Sequence, residues 1–111
     1  MPSKVILIQS EGLGRGDDAL GGMLMANFLR VLGGSPDKPK TIVFWNSGVC
    51  LLCEGSEVIE HLKKLEGQGV EILGCTTCLE YFDLVDKLQV GKLTTMVKSV
   101  QSMLDSDMVC L

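Results

Sequence analysis

Short apolar runs alternate with longer segments of helical periodicity along this chain. Runs of strand length occupy residues 5–8, 41–45, 70–73 and 107–111, and each is bounded by glycine or polar residues. The first of them is rich in β-branched residues, which favour strands. The pattern therefore predicts four strands, three of which are followed by turn chemistry and then by a helix.

Capping residues and glycines mark the ends of the first predicted helix. Asp17 or Asp18 caps its beginning, and Gly33 and Gly34 terminate it. Its apolar residues recur with helical spacing. These residues are Leu20, Met23, Leu24, Phe28, Leu29, Val31 and Leu32.

Three further helices follow the same signals. A second helix begins at Ser56, and a short third helix spans residues 79–85. Gly91 then breaks the chain before Thr94 or Thr95 caps the last helix. The apolar face of that helix is Met96, Val97, Val100 and Leu104. Strands separated by single helices predict an α/β fold, a three-layer α/β/α sandwich with a mainly parallel sheet in one domain spanning residues 1–111.

Composition adds a prediction about assembly. The chain has 111 residues, 46% of them hydrophobic, and a mean hydropathy of +0.30, which is enough apolar material for one folded core. A domain this small has apolar side chains left over for its surface, and exposed apolar patches usually mark partner sites. We therefore expect a homo-oligomer.

Net charge and the first apolar run predict the kind of partner and the compartment of the protein. The net charge is −4 and no cluster of Lys and Arg occurs, so nucleic acid is not an expected partner. The apolar run near the start is too short for a signal peptide or a membrane span, which predicts a cytoplasmic protein with no membrane partner. In that reducing compartment, five cysteines are more consistent with metal binding, redox chemistry or catalysis than with disulfides.

Two Cys-x-x-Cys pairs follow two of the predicted strands directly. Cys50 and Cys53 come after the second strand, and Cys75 and Cys78 come after the third. Sites in parallel α/β sheets form outside the carboxyl ends of the strands. We therefore expect both cysteine loops, together with the loop at residues 10–16, to lie at one end of the sheet and to form the functional site.

The spacing of the four cysteines is compatible with a metal site. C-x2-C-x21-C-x2-C is close to the pattern of a tetrahedral zinc site with Cys50, Cys53, Cys75 and Cys78 as ligands. The residues between the pairs, however, have the pattern of a helix and a strand instead of short zinc knuckles. Because the predicted core does not depend on a metal to fold, a site without metal is the leading prediction and zinc is the alternative.

Cys75 has the better position of the four for thiolate chemistry. It follows a strand directly and precedes Thr76 and Thr77, which can cap a helix, so its sulfur is predicted near the positive end of that helix. Cys78 would lie one turn further on. We expect Cys75 and Cys78 to be the catalytic thiols and Cys50 and Cys53 to be auxiliary thiols.

Other conspicuous residues have structural interpretations. Cys110 lies in an apolar strand and is predicted to be a small buried side chain, and His61 is predicted to lie on a solvated helix face. Trp45, Tyr81 and Phe82 are predicted to be packing residues, although Trp45 could also line a pocket beside the cysteines.

The Gly-rich loop resembles a phosphate-binding turn only in part. Gly12, Gly14 and Gly16 alternate, but Asp17 occupies the place of the third glycine in G-x-G-x-x-G, and acidic residues repel phosphate at a helix start. The favoured interpretation is a flexible loop capped by aspartate. Arg15 remains a candidate for binding an anionic substrate.

Several segments resemble a known family. The sequence at residues 69–75, Gly-Val-Glu-Ile-Leu-Gly-Cys, resembles the DsrE/DsrF-like (DsrE/TusD) family, in which a cysteine just after the third strand carries sulfur. Residues 13–21, 46–49 and 74–79 are more similar still to the carboxyl-terminal domain of YedF-type selenium-metabolism proteins. Those proteins usually begin with a TusA-like domain that bears a Cys-Pro motif, and no Cys-Pro occurs in this sequence.

The resemblance implies a function as well as a fold. It implies a homo-oligomeric sulfurtransferase-like protein that relays sulfane sulfur, or selenium, as a persulfide on Cys75, without a cofactor. The expected partner is a separate sulfur donor or acceptor protein of the TusA-like kind. On this basis Arg15, Asn46, Ser47 and Gly74 are candidate substrate-binding residues. The alternatives are a non-catalytic binding module built on the four-cysteine zinc site and a scaffold for a sulfur-metabolism complex.

Overall fold

A five-stranded sheet organises the chain. A computed structural model describes residues 4–111, and all strand pairs in its sheet are parallel, in the order β4-β3-β2-β1-β5. The strands are β1 at Lys4–Ile8, β2 at Thr41–Phe44, β3 at Glu71–Cys75, β4 at Lys92–Thr94 and β5 at Asp107–Cys110. The predicted α/β class with a parallel sheet is confirmed.

Four α-helices and two 3₁₀ helices connect the strands. The α-helices are α1 at Asp18–Gly34, α2 at Ile59–Gly67, α3 at Thr76–Tyr81 and α4 at Met96–Asp105, and the 3₁₀ helices are Asn46–Leu52 and Val85–Lys87. The chain steps from β1 to β4 in one direction and then crosses back to β5. Right-handed crossovers therefore place α1, α2 and α3 on one face of the sheet and α4 on the other.

The core divides unequally between the two faces. On the first face, alternate strand residues such as Ile8 and Phe44 pack with α1 and α2 in one large buried cluster. On the second face, Val5, Leu7 and Val43 form a small cluster, against which Met103 of α4 packs. One helix therefore covers the second face, which is called here the α4 face.

Strand β4 was absent from the sequence prediction. It has three residues, Lys92, Leu93 and Thr94, and pairs with the end of β3 at the edge of the sheet. A run so short, with one aliphatic residue, has no periodicity that could be read as a strand. Gly91 makes the pairing possible, because its φ is +85° and an added Cβ would lie 2.8 Å from the Ile72 carbonyl oxygen.

Two predicted helix starts also differ from the structure. The second helix begins at Ile59 and not at Ser56, whose hydroxyl instead accepts a hydrogen bond from the Val58 N–H in a turn before the helix. The third helix begins at Thr76 and ends at Tyr81, earlier than the predicted residues 79–85. In both cases a local turn replaces a helical segment that the apolar spacing suggested.

The apolar face that the sequence indicates for α1 and for α4 is mostly not the face that the structure buries. On α1 the buried positions are Gly21, Met25, Leu29 and Gly33, so of the predicted face Leu29 alone is fully buried. Small residues let the helix lie close to its neighbours, and larger apolar side chains point outward. On α4 the buried position is Ser99, and the four predicted apolar residues are all exposed.

Three single-residue predictions are also wrong. Cys110 is exposed, because it lies at the end of edge strand β5 on the thinly covered α4 face. Tyr81 is 84% exposed and Phe82 is exposed as well, and their rings contact each other edge to face with 5.3 Å between centroids. Both follow the last buried residue of α3, Leu79, and extend beyond the core.

Within residues 4–111, no helix combines the length and the apolar composition needed to span a bilayer.

Candidate functional site

The two cysteine loops meet at the carboxyl end of the sheet, as predicted. The 3₁₀ helix Asn46–Leu52 follows β2, and α3 follows β3 directly. The Asn46 N–H donates a hydrogen bond to the Cys78 Sγ over 3.1 Å, which joins the two loops. Parallel pairing of β2 with β3 brings both loops to the same edge.

Glycines allow the loops to pack this closely. A Cβ on Gly48 would lie 2.7 Å from the Ile8 carbonyl oxygen, so only glycine fits where the loop passes the end of β1. A Cβ on Gly74 would lie 2.9 Å from the Leu52 Cδ1. Gly74 therefore allows β3 and the 3₁₀ helix to pack closely.

Cys75 and Cys78 form a pair of unlike thiols. Cys75 ends β3, immediately before α3, and is 4% exposed, whereas Cys78 lies one turn into α3 and is half-buried. The two thiols lie close enough for Cys75 to raise the pKa of the Cys78 thiol. One sulfur is thus reachable from solvent and the other is enclosed beside it.

The pKa of the Cys78 thiol is raised above its ordinary value. Burial is the largest cause, and the hydrogen bond with Cys75 adds to it. The Asn46 N–H acts in the opposite direction, because it donates to the sulfur and so favours the thiolate. Cys78 therefore ionises at higher pH than a free cysteine does.

Cys50 and Cys53 have different environments from this pair. Cys53 is buried, its thiol donates to the Val49 carbonyl over 3.3 Å, and burial raises its pKa. Cys50 is half-buried and lies beside Glu11, and burial followed by the Glu11 carboxylate raises its pKa. The predicted auxiliary thiols are therefore a packing residue and a residue that faces the Gly-rich loop.

A large cavity opens beside Cys50. Its volume is about 1120 Å³, and it is lined by parts of residues 10–26 and 47–58, including Arg15 and Ser47. Cys75 and Cys78 are not among its lining residues. Five carboxylates face it against the single Arg15 among the described residues that line it: Glu11, Asp17, Asp18, Glu54 and Glu57. This charge balance disfavours a phosphate ligand, in agreement with the sequence interpretation of the Gly-rich loop.

The predicted site residues thus divide into two groups. Cys75, Cys78 and the backbone of Asn46 lie together, and the Asn46 side chain turns to accept the Ser47 N–H over 2.8 Å. Arg15 and Ser47 lie with Cys50 on the cavity. Asp17 caps α1 as predicted, since its carboxylate accepts the Leu20 N–H over 2.9 Å.

The described residues do not assemble the four-cysteine metal set. No group of three or more His, Cys, Asp or Glu side chains within residues 4–111 is arranged to hold a metal ion. Cys53 belongs to the buried core cluster, and Cys50 lies close enough to Glu11 for the carboxylate to raise its pKa.

Two neighbours of the thiols escaped the sequence analysis. Glu11 belongs to the loop that the sequence predicts to be flexible, and its carboxylate lies close enough to Cys50 to raise the pKa of that thiol. Thr94 is one of the two residues that the sequence predicts to cap the last helix, but it ends β4 and pairs in register with Cys75. The Thr76 hydroxyl donates to the Thr94 carbonyl over 2.8 Å and ties the ends of β3 and β4 together. Recognising β4 as a strand would have revealed Thr94.

Fold and site together define a small parallel α/β protein with a dithiol at the carboxyl edge of its sheet. Solved structures share this fold. The ychN protein from E. coli matches with a TM-score of 0.75 at 16% identity over 100% of both chains. A protein of unknown function from Methanobacterium thermoautotrophicum, MTH1491, matches with a TM-score of 0.69 at 19% identity over 97% of both chains.

A third structure extends the comparison. BT1422, a conserved protein of unknown function from Bacteroides thetaiotaomicron, matches with a TM-score of 0.70 at 13% identity over 98% of this chain and 95% of its own. No family model matches the sequence, and no curated protein matches it either. The likeness is one of fold, and it supports the DsrE-like fold that the sequence resemblance implies.

Proposed function

We propose that the protein relays sulfane sulfur, or selenium, as a persulfide on the Cys75–Cys78 pair. The observation that carries this proposal is that the half-buried thiol of Cys78 lies one helical turn from the buried thiol of Cys75 at the carboxyl edge of the sheet. A relay needs one sulfur that a donor can reach and one place where the cargo is sheltered. Cys78 is the thiol that a donor can reach, and Cys75 is the enclosed thiol.

Each step exchanges one S–S bond for another. The Cys78 thiolate attacks the outer sulfur of a donor persulfide, R–S–SH, the S–S bond of the donor breaks, and R–S⁻ leaves and takes up a proton. Cys78 then carries the outer sulfur as a persulfide. The Cys75 thiolate attacks that outer sulfur in turn, the Cys78 thiolate is released, and Cys75 holds the cargo. No net oxidation or reduction occurs.

Burial of Cys75 means that the second step moves the sulfur to a site that solvent thiols cannot reach easily. A persulfide exposed to solvent thiols loses its outer sulfur by the same exchange reaction, and access controls the rate of that exchange. Cys75 is 4% exposed, so a persulfide formed there is sheltered until Cys78 carries it out again. The donor and the acceptor are separate proteins that reach Cys78, and a TusA-like carrier fits this role.

Intact-mass spectrometry tests the proposal directly. The native protein is weighed before and after incubation with a cysteine desulfurase and cysteine, and Cys75→Ser, Cys78→Ser and Cys110→Ser are treated in parallel. Cys110→Ser is the matched control, because this cysteine is exposed and lies on edge strand β5. We expect the wild type and Cys110→Ser to gain the mass of one sulfur atom stably.

The variants separate the two roles. Cys78→Ser should gain little sulfur, because the accepting thiol is missing, and Cys75→Ser should gain sulfur that solvent thiols remove rapidly. Absence of any sulfur gain in the wild type overturns the proposal. If a stoichiometric zinc mass accompanies that result, the binding module with a four-cysteine zinc site replaces it.

A further inference from the structure

Strand register places Thr94 beside Cys75. The two residues are paired at the ends of neighbouring parallel strands, and paired residues point to the same face with about 4.8 Å between strands. Leu73, two residues before Cys75, pairs with Val43 of the α4-face cluster, while Cys75 at the end of the strand also belongs to the large cluster of the other face. The Thr94 side chain is 2% exposed.

The Thr94 hydroxyl has no hydrogen-bond partner. Its Oγ1 is one of three buried side-chain polar atoms that are unpartnered among the described residues, together with the Ser99 Oγ and the Trp45 Nε1. Leaving a buried polar group unpaired costs about 1–3 kcal/mol. Each such atom therefore needs a physical explanation.

The three residues all belong to segments at the carboxyl end of the sheet, since Trp45 follows β2, Thr94 ends β4 and Ser99 lies near the start of α4. Trp45 directly follows Phe44, which pairs with Gly74, so its place in the register is next to Cys75. Ser99 is 3% exposed and lies one helical turn before Met103, which packs on the α4-face cluster. Because α4 starts at the carboxyl edge, that turn brings Ser99 toward the level of Thr94. The side chains are a hydroxyl, a hydroxyl and an indole N–H, and each of them can donate a hydrogen bond.

We infer that the Thr94 hydroxyl, assisted by Ser99, is a hydrogen-bond donor for the sulfur cargo held on Cys75. The inference rests on the proposed function and adds the residues that bind the sulfane sulfur. The outer sulfur of an ionised persulfide is an anion, and a buried anion needs donors aimed at it. A hydroxyl that the fold leaves unpaired beside Cys75 supplies one, and hydrogen bonds to charged groups are about twice as strong as neutral ones.

The substitution Thr94→Val tests this inference because it separates stability from function. Valine has nearly the shape of threonine, so the variant removes an unpaired buried hydroxyl without leaving a hole. We expect the melting temperature of the unloaded protein to rise by about 4 °C. We expect the lifetime of the Cys75 persulfide in the presence of glutathione to fall about tenfold, which is the loss of one hydrogen bond to a charged sulfur.

Two control variants isolate the effect of the Thr94 hydroxyl, and a third variant tests the contribution of Ser99. Thr41→Val is the same substitution at a residue that is also 2% exposed and lies on β2, but its hydroxyl donates to the Glu71 Oε1 over 3.1 Å. That variant should have a lower melting temperature and an unchanged persulfide lifetime. Thr94→Ser keeps the hydroxyl and should restore the lifetime, and Ser99→Ala should shorten it by a smaller factor than Thr94→Val.

The outcomes distinguish this inference from the function it rests on. A wild type that takes up no sulfur overturns the proposed function and the inference together. A wild type that loads normally, beside a Thr94→Val variant that holds its sulfur equally long, overturns the inference alone. A lower melting temperature of unloaded Thr94→Val also overturns it, because the hydroxyl would then be paired within the fold. A stabilised variant that loses its sulfur quickly supports it.

Discussion

The cysteine side chains show how strongly one residue type depends on its neighbours. Cys78 and Cys50 are both half-buried, yet Cys78 has an Asn46 N–H against its sulfur and Cys50 has the Glu11 carboxylate. An N–H donor favours a thiolate, and a carboxylate disfavours it. Of these two thiols, Cys78 is therefore the better placed to react with an incoming persulfide.

The first prediction concerns the pH dependence of Cys78. Burial and the hydrogen bond with Cys75 raise its pKa, so the rate of its alkylation should rise with pH to a midpoint above the value of about 8.5 for a free cysteine. Cys75→Ala removes the hydrogen bond but not the burial. This variant should lower the midpoint without bringing it to the ordinary value, which peptide mapping after timed alkylation will measure.

The raised pKa of Cys78 also makes the stability of the fold depend on pH. The folded state holds the Cys78 proton more tightly than the unfolded chain does, so this thiol stabilises the fold fully below about pH 8.5 and progressively less as the pH rises through that value. An alkylation midpoint below that of free cysteine contradicts the pKa direction.

A second prediction tests the close contact at Gly48. Gly48→Ala places a Cβ 2.7 Å from the Ile8 carbonyl oxygen, which is backbone and cannot move aside cheaply. We expect a loss of about 2–3 kcal/mol of unfolding free energy, measured by urea denaturation. Gly22→Ala is the control, since Gly22 is exposed in α1 and a Cβ there meets nothing within 4 Å. It should stabilise the protein by up to about 1 kcal/mol, and equal effects of the two changes would refute the steric explanation.

At the residue scale, the sequence predicted positions better than environments. The place of Cys75 after a strand was predictable, because a turn and a helix cap follow an apolar run. Its burial was not predictable, because Cys75 belongs to a core cluster built by residues from several elements that are distant in sequence. The proximity of Glu11 to Cys50 depends on two loops whose approach no local pattern encodes.

At the element scale, strong local signals gave correct predictions and weak ones did not. The strands with apolar runs and the caps at Asp17 and Thr95 were predicted correctly, and Thr95 accepts the Lys98 N–H over 3.3 Å. Strand β4 was missed because long-range pairing with β3, and not its own three residues, makes it a strand. Tertiary context therefore decides the shortest elements.

The N-terminal cap of α1 gives the third prediction. Asp17→Ala removes the carboxylate that accepts the Leu20 N–H, so the unfolding free energy should fall by about 1 kcal/mol in chemical denaturation. Asp18→Ala is the matched control, because Asp18 is the first residue of α1 and carries the same charge at the same helix end but does not form the cap. Its effect should be less than half as large, and a larger loss for Asp18→Ala would contradict the capping role of Asp17.

The apolar faces of α1 and α4 connect the element scale to the whole molecule. Helical spacing identified both faces, but it could not say whether they pack inward or outward. Two glycines, Met25 and Leu29 occupy the inward positions on α1, and a serine occupies the inward position on α4. Most of the other aliphatic residues on these two faces are therefore on the surface, where they support the prediction of self-association.

For the whole molecule, the fourth prediction is that α4 forms the contact between copies of the chain. Val97 is 69% exposed and Leu104 is 81% exposed, on the helix that alone covers its face of the sheet. A stable interface buries about 800 Å² per partner, roughly one eighth of the 6638 Å² surface of the chain, and apolar side chains along a ten-residue helix can form the centre of such a patch. We expect sedimentation velocity to show an oligomer.

The double substitution Val97→Glu and Leu104→Glu should convert this oligomer to a monomer without unfolding it, because both side chains already point to solvent. Gln101→Glu is the control for added charge on the same helix and should leave the oligomer intact. A wild type that sediments as a monomer at every concentration contradicts the prediction of self-association, and an oligomer that survives the double substitution excludes α4 as the contact. In the second case, the exposed Met23 and Val31 on α1 become the face to change next, since they are the other outward apolar surface that helical spacing identified.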